Sequence, residues 1–391
     1  MRLNQLLRKF AFDGGGHKGP ALLALSDGSE FFGDAVGFHG LACGEVVFNT
    51  SMTGYQEIIS DPSYCNQLVT LTYPHIGNVG CNASDMESKN VYLSGVIVKN
   101  LSSSYSNYRG EQSLNSFLVQ NKVVGIANID TRKLTLNLRQ NGAMNGVIIS
   151  MQENSKLNLV EARRSASAAL SEFDGIRGSE LANRVSVSRS YSSQTEPKRD
   201  SPFLLVYDFG IKKNILRILE SLGCQFLVVP SNTSYDVIVE TKPDGIILSN
   251  GPGDPEPCAN GINVARNAIS NKLPILGICL GHQVLALAAG AKTKKMSFGH
   301  HGANHPIQEL KTNKIFITSQ NHGFVVDENY LGDELVVSHK SLFDGSIQGI
   351  EHLNSPAFGF QGHPEGSPGP QDLVDIFKKF VDLLKEKNKN A

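Results

Sequence analysis

"LPILGICLGHQVLALAAG" (Leu273–Gly290) decides how this chain is read. Leu273–Ile278 has the composition of a buried β-strand, and the residues after it repeat apolar side chains at helical spacing. Cys279 stands at the change, between Gly277 and Gly281. Gly-x-Cys-x-Gly has the spacing of a nucleophile elbow, with sulfur in place of oxygen. The glycines let the chain turn sharply, and the turn puts the thiol at a helix N-terminus. There the helix dipole and free backbone N–H groups favour a thiolate and can hold an oxyanion. Cys279 is therefore expected to be a nucleophile. Cys43, Cys65, Cys81 and Cys224 read as inert thiols, and Cys258 has no assigned role.

Outward from the elbow, strands and helices alternate. "PFLLVYDFG", "QFLVVP", "PDGIILSN" and "PILGIC" read as strands, and "KKNILRILESLG", "NVARNAISN" and "GHQVLALAAG" as helices. This predicts an α/β fold: a mostly parallel sheet with helices on both faces, its ligand site outside the carboxyl ends of the strands. The pattern over residues 20–185 is more mixed. "ALLALSDGSEFFGDAVG" predicts a hairpin around Asp27-Gly28. "EVVFNT", "QLVTLTY" and "LSGVIVKN" read as further strands, and "SLNSFLVQNK" and "LVEARRSASAALSEF" as helices. Residues 186–200, polar and serine-rich, read as a linker. The expected organisation is an N-terminal extension (1–19), a separate mixed α/β domain (20–185), the linker, and the sheet domain (201–391). "MRLNQLLRKFAF" reads as a plain extension, with a targeting segment as the other reading.

Composition narrows the function. The net charge of −1 gives no electrostatic case for nucleic acid or an anionic membrane. No apolar run approaches the ~18 residues of a membrane span. Six scattered cysteines without a Cys-x-x-Cys pair suit reduced thiols in the cytoplasm, with neither a disulfide framework nor a zinc ribbon.

A thiol nucleophile needs a base and a group that orients it. In "PAFGFQGHPEGSPGP" an apolar strand runs into a turn carrying His363, Pro364 and Glu365. Two residues apart on extended chain, the imidazole and carboxylate face one side, so Glu365 can hold one ring nitrogen and leave the other to the thiol. "SNGPGDP" (Ser249–Pro255) is too glycine-rich for a plain connection, and Gly251 and Gly253 would let backbone N–H groups approach a ligand. His300, His301 and His305 in "FGHHGANHP" resemble metal ligands, but no Cys or carboxylate completes the set, so no metal is expected.

"SNGPGDP", "GICLGHQ" and "GHPE", in that order, resemble the triad (class I) glutamine amidotransferases. More narrowly the chain resembles the small subunits of glutamine-hydrolysing carbamoyl-phosphate synthetases, from about Pro20 to the C-terminus. "GEVVFNTSMTGYQEIISDPSY", "LTYPHIGNVG" and "IDTRKLT" carry that narrower likeness, joined by "MSFGHHGANHP", "SQNHGF" and "HKSLFDG". Ala303, where glycine is common in the His-rich loop, and the N-terminal extension are departures.

The resemblance implies Cys279, His363 and Glu365 as the catalytic triad. It implies Ser63, Gly251, Gly253, Leu280, Gln283, Asn321, Gly323 and Phe324 as contacts to L-glutamine. It also implies a heterodimer, or an assembly of heterodimers, with a large subunit that uses ATP, Mg²⁺ and bicarbonate to make carbamoyl phosphate for arginine and pyrimidine biosynthesis. Ammonia would reach that subunit through an enclosed passage. The chain itself holds no phosphate-binding Gly-x-x-x-x-Gly-Lys-[Ser/Thr] loop, so no cofactor is expected on it. Two rivals remain: another triad amidotransferase, against which the N-terminal half argues, and a non-catalytic scaffold, against which the intact Cys–His–Glu set argues.

Overall fold

The computed structural model describes residues 19–152, 158–194 and 201–389. The expected N-terminal extension lies outside the described residues, Gly19 excepted. The chain divides into two compact units, Met1–Ile176 and Arg177–Ala391.

In the first unit seven strands close into a barrel. They are β1 (Pro20–Leu25), β2 (Glu30–Gly37), β3 (Gly40–Asn49), β4 (Gln67–Ile76), β5 (Gly95–Leu101), β6 (Val124–Ala127) and β7 (Met144–Ser150). The order is β1-β2-β6-β5-β4-β3-β7, and β7 pairs back onto β1. The expected hairpin joins β1 to β2, with Gly28 at φ +85°. Among the described residues the unit also holds helices α1 (Tyr55–Ser60), α2 (Leu114–Gln120), α3 (Thr131–Asn141) and α4 (Leu159–Glu172). Three have side-chain caps: Ser113, Asp130 and Asn158 each accept a first-turn N–H of the helix that follows. Val36, Val47, Ile59, Val69, Val96 and Leu118 form the centre of one buried cluster.

The second unit holds helix α5 (Ala182–Val185), β8 (Tyr191–Ser192), β9 (Phe203–Asp208), α6 (Lys213–Ser221), β10 (Gln225–Pro230), α7 (Tyr235–Thr241) and β11 (Gly245–Leu248). It continues with α8 (Ala259–Ser270), β12 (Ile275–Ile278), α9 (Leu280–Ala288), β13 (Thr293–Glu309) and β14 (Ile315–Val326). Strands β15 (Leu335–Ser341), β16 (Ile347–His352) and β17 (Ala357–Phe360) and helix α10 (Asp375–Lys389) follow. Strands β10, β9, β11, β12 and β17 lie side by side and parallel. Their side chains alternate between two cores. Leu205, Tyr207, Ile246, Leu248 and Ile275 join Val264 and Ala265 of α8 and Val284 and Leu285 of α9. Leu204, Val206, Ile247, Leu276 and Ile278 join Ile215 and Leu219 of α6 and Phe377, Phe380 and Leu384 of α10. Burial on both faces is why these strands read as unbroken apolar runs.

The parallel centre is the one the alternation predicts. Beyond β17 the sheet continues antiparallel through β16, β15, β13 and β14, a wing the sequence did not announce.

The expected linker needs correction. The division falls at Ile176/Arg177, and residues 186–194 belong to the second unit. Val187 N–H donates to Asp208 Oδ2 (2.7 Å), and Tyr191–Ser192 pair antiparallel with β10. Backbone groups satisfied against a sheet edge hold a stretch whose side chains are polar. Residues 195–200 lie outside the described residues.

Candidate active site

Four neighbouring parallel strands, β9, β11, β12 and β17, deliver one segment each from their carboxyl ends. β12 ends on Cys279, which has φ 52° and ψ −104° and caps α9. A side chain at positive φ is strained, by about 1–3 kcal/mol for such a backbone. The flanking glycines show what holds it there. A Cβ on Gly281 would lie 2.0 Å from Leu248 O, and one on Gly277 would lie 2.5 Å from Gly281 O. Gly281 N–H donates to Ser249 O (3.0 Å) and Cys279 N–H to Phe360 O (2.8 Å), pinning the elbow to both neighbouring strand ends. The thiol is 1% exposed and donates to Asn321 O at 3.5 Å. Gln361 Nε2 donates to Sγ from 3.9 Å.

β17 runs into the turn that holds His363 and Glu365. His363 N–H donates to Ser319 O on β14 (2.9 Å), and Gly366 N–H closes the turn onto His363 O (3.0 Å). The imidazole and carboxylate meet across this turn, with His363 Nδ1 2.6 Å from Glu365 Oε1. Both side chains are fully buried. Burial opposes the imidazolium, but the charges of Glu365 and Cys279 outweigh it and raise His363 above the ordinary histidine range. Burial likewise opposes the carboxylate, yet Lys212 and His363 hold Glu365 down at about 2.

Lys212 is the residue the sequence reading missed. It follows β9, is 2% exposed, and lies 3.0 Å through Nζ from Glu365 Oε1. Nζ also donates to Gly366 O (2.6 Å), while its backbone N–H donates to Asn250 Oδ1 (3.0 Å). In "DFGIKKN" Lys212 reads as the polar start of a helix, and the lysine beside it has the same chemistry. No local signal separates a buried lysine from a solvated one. Gln361, fully buried, was missed for the same reason.

The other expected site residues sort by unit. Asn321, Gly323 and Phe324 lie on β14, and Leu280 and Gln283 in the first turns of α9. Gln283 Nε2 donates to Phe324 O (2.7 Å), and Asn321 Oδ1 lies 2.8 Å from His301 Nδ1. Gly251 and Gly253 follow β11. Gly251 is required by close packing, because a Cβ there would lie 2.4 Å from Phe209 O, and Gly253 has φ +82°. Ser63 belongs to the first unit, in the 3-10 turn Pro62–Tyr64, where its N–H donates to Asp61 Oδ1 (2.9 Å).

The histidines of β13 are buried. His300 Nε2 lies 3.1 Å from Asp344 Oδ2, and its ring lies 5.1 Å from those of His305 and His322. Burial holds His305 down at about 3 and His322 well below the ordinary range. Among the described residues no group of three or more His, Cys, Asp or Glu side chains is arranged to hold a metal ion. Burial pushes the thiols of Cys81 and Cys258 up to about 12 and that of Cys224 to about 11. None of these three suits a nucleophile. No helix among the described residues is long and apolar enough to cross a membrane.

Residues 205–383 match the family model for glutamine amidotransferase class-I, and residues 23–148 match that for the carbamoyl-phosphate synthase small chain, CPSase domain. The carbamoyl phosphate synthase small chain of Pectobacterium atrosepticum is 51% identical over 95% of this chain and 99% of its own length. That of Vibrio cholerae serotype O1 is 52% identical over 94% and 98%, and that of Neisseria meningitidis serogroup B 50% identical over 94% and 98%. Both models in one chain, and half its residues shared along nearly the full length of such relatives, show that the chain belongs to the carbamoyl phosphate synthase small chain family.

Proposed function

We propose that this chain releases ammonia from L-glutamine and supplies it to a large subunit that uses ATP, Mg²⁺ and bicarbonate to make carbamoyl phosphate, for arginine and pyrimidine biosynthesis. The buried line Lys212–Glu365–His363, ending beside the strained Cys279, is the observation that carries this reading. Family membership supplies the substrate and the partner.

The thiolate of Cys279 attacks the side-chain carbonyl carbon of glutamine. N–H groups at the start of α9, Leu280 among them, and the Gly251–Gly253 loop take the developing oxyanion. The His363 imidazolium gives its proton to the departing nitrogen as the C–N bond breaks, and ammonia leaves a glutamyl thioester. Neutral His363 then takes a proton from water. The hydroxide attacks the thioester, the thiolate departs, glutamate is released, and the imidazolium is restored. Glu365 holds the ring through Nδ1 and offsets its charge. Gln283, Asn321, Gly323 and Phe324 bind glutamine. The chain acts in the cytoplasm as one half of a heterodimer, alone or in a larger assembly, and needs no cofactor of its own.

The test is Cys279→Ser in the purified complex. Glutamine-dependent carbamoyl phosphate synthesis should be lost while synthesis from free ammonia persists. Near-normal glutamine use by the variant would overturn the reading.

A further inference from the structure

The sulfur of Cys279 has two side partners of opposite character. Asn321 O, an acceptor, lies at 3.5 Å, and Gln361 Nε2, a donor, at 3.9 Å. An amide can be turned end for end, so the donor assignment needs a reason. A chain of hydrogen bonds provides one. Phe324 O is a backbone carbonyl and can only accept, so the atom of Gln283 facing it at 2.7 Å must be Nε2. That same Nε2 lies 3.0 Å from Gln361 and must donate there as well, so the atom it meets is Oε1. Gln361 is thereby left with its NH₂ end towards the sulfur. Its main chain is fixed too, for its N–H donates to Gln348 O at 2.8 Å. Gln361 is fully buried and Gln283 is 2% exposed, so water does not compete for these amides.

The two partners respond differently when the proton leaves. The neutral thiol donates to Asn321 O. Once the proton has passed to His363, that carbonyl faces a negative sulfur and repels it, whereas the Gln361 N–H becomes a charge-assisted donor. We propose that Gln361 is a positioning residue that holds the Cys279 thiolate through its side-chain N–H, its amide turned to the sulfur by Gln283 and ultimately by Phe324 O. This rests on Cys279 being the nucleophile, and it adds a fifth side chain to the line of Lys212, Glu365, His363 and Cys279.

The test is the pH profile of Cys279 alkylation by iodoacetamide, read by mass spectrometry of the Cys279 peptide in the full-length chain. It needs no glutamine. Gln361→Met keeps the length and removes the donor. It should slow alkylation at neutral pH about tenfold or more and move the profile towards higher pH, as the loss of one hydrogen bond to a charged group would. Gln361→Glu puts a carboxylate against the sulfur and should slow it roughly tenfold or more. Gln361→Asn draws the amide back by one methylene, keeps the core polar, and should behave like the Met variant; it carries the test if Gln361→Met fails to fold by circular dichroism. With glutamine as substrate the folded variants should lose kcat more than they raise KM. A role in packing alone would lower thermal stability and leave the alkylation profile on that of the wild type, and that result would overturn the inference. A shifted profile in a protein that releases no ammonia from glutamine would sustain the inference while overturning the proposed function.

Discussion

Lys212→Met tests the energetics of the buried charges. Lys212, Glu365 and His363 are each at most 2% exposed, so removing the ammonium leaves the Glu365 carboxylate with His363 as its remaining charged partner. A carboxyl held at about 2 rather than its ordinary 4.5 contributes about 3 kcal/mol at neutral pH, and Lys212 is the largest of the groups that lower it. Breaking a buried pair from one side typically costs about 3–5 kcal/mol. The variant should therefore lose about 3 kcal/mol, the value at which the two arguments meet. The pH dependence has a definite sign. A depressed carboxyl stabilises the fold above its unfolded pKa of 4.5, and that contribution fades as pH falls from there through about 2. In Lys212→Met the folded value of Glu365 rises towards 4.5, so the acid-dependent part shrinks along with the total. The chain has no Trp, so urea unfolding at pH 7 and pH 4 is best followed by far-ultraviolet circular dichroism. The double variant Lys212→Met/Glu365→Gln removes both charges and should recover much of the loss. If Lys212→Met stays within about 0.5 kcal/mol of the wild type, or the double variant is worse than the sum of its parts, the reasoning fails.

Further perturbations probe the elbow and the buried imidazoles. Gly281→Ala would set a Cβ 2.0 Å from Leu248 O, so the elbow must move; glutaminase activity should fall by about two orders of magnitude, and an active variant would show the turn to be less constrained. His282 and His305 are both held at about 3 by burial, and burial also holds His322 well below the ordinary histidine range. Between pH 6.5 and about 3 the unfolded chain binds protons the folded one refuses, so stability should fall on acidification, by roughly 2–4 kcal/mol from pH 6.5 to 5.5. The raised His363 contributes in full below 6.5 and does not mask this fall, so level urea midpoints across that interval would refute it.

What could be read from the sequence, and what could not, divides along a physical line. The elbow was legible because its constraints are local: two glycines four apart, a strand before and a helix after, with Cβ clearances of 2.0 and 2.5 Å that admit no other residue. The parallel centre was legible because burial on both faces demands continuous apolar runs. His363 and Glu365 were found because Pro364 fixes their spacing, although they meet across a turn closed by Gly366 N–H. The antiparallel wing was not legible. β13 runs from Thr293 to Glu309 with two register shifts, so its side chains follow no single alternation, and its buried polar residues mimic a loop. The barrel of the first unit escaped for a related reason: closure of β7 onto β1 joins strands more than a hundred residues apart, which no local pattern encodes. Lys212 and Gln361 lie at the far end of this scale. Each is polar, each is buried, and each owes its place to groups distant in sequence or on another element: Glu365 and Asn250 for one, Gln283 and Cys279 for the other. Those groups set the charge and orientation of the residues the motifs do reveal. A polar residue outside any motif, at the carboxyl end of a strand beside Cys279, is therefore the kind a sequence reading most readily takes for solvent-facing, and the kind whose substitution most directly tests the chemistry assigned here.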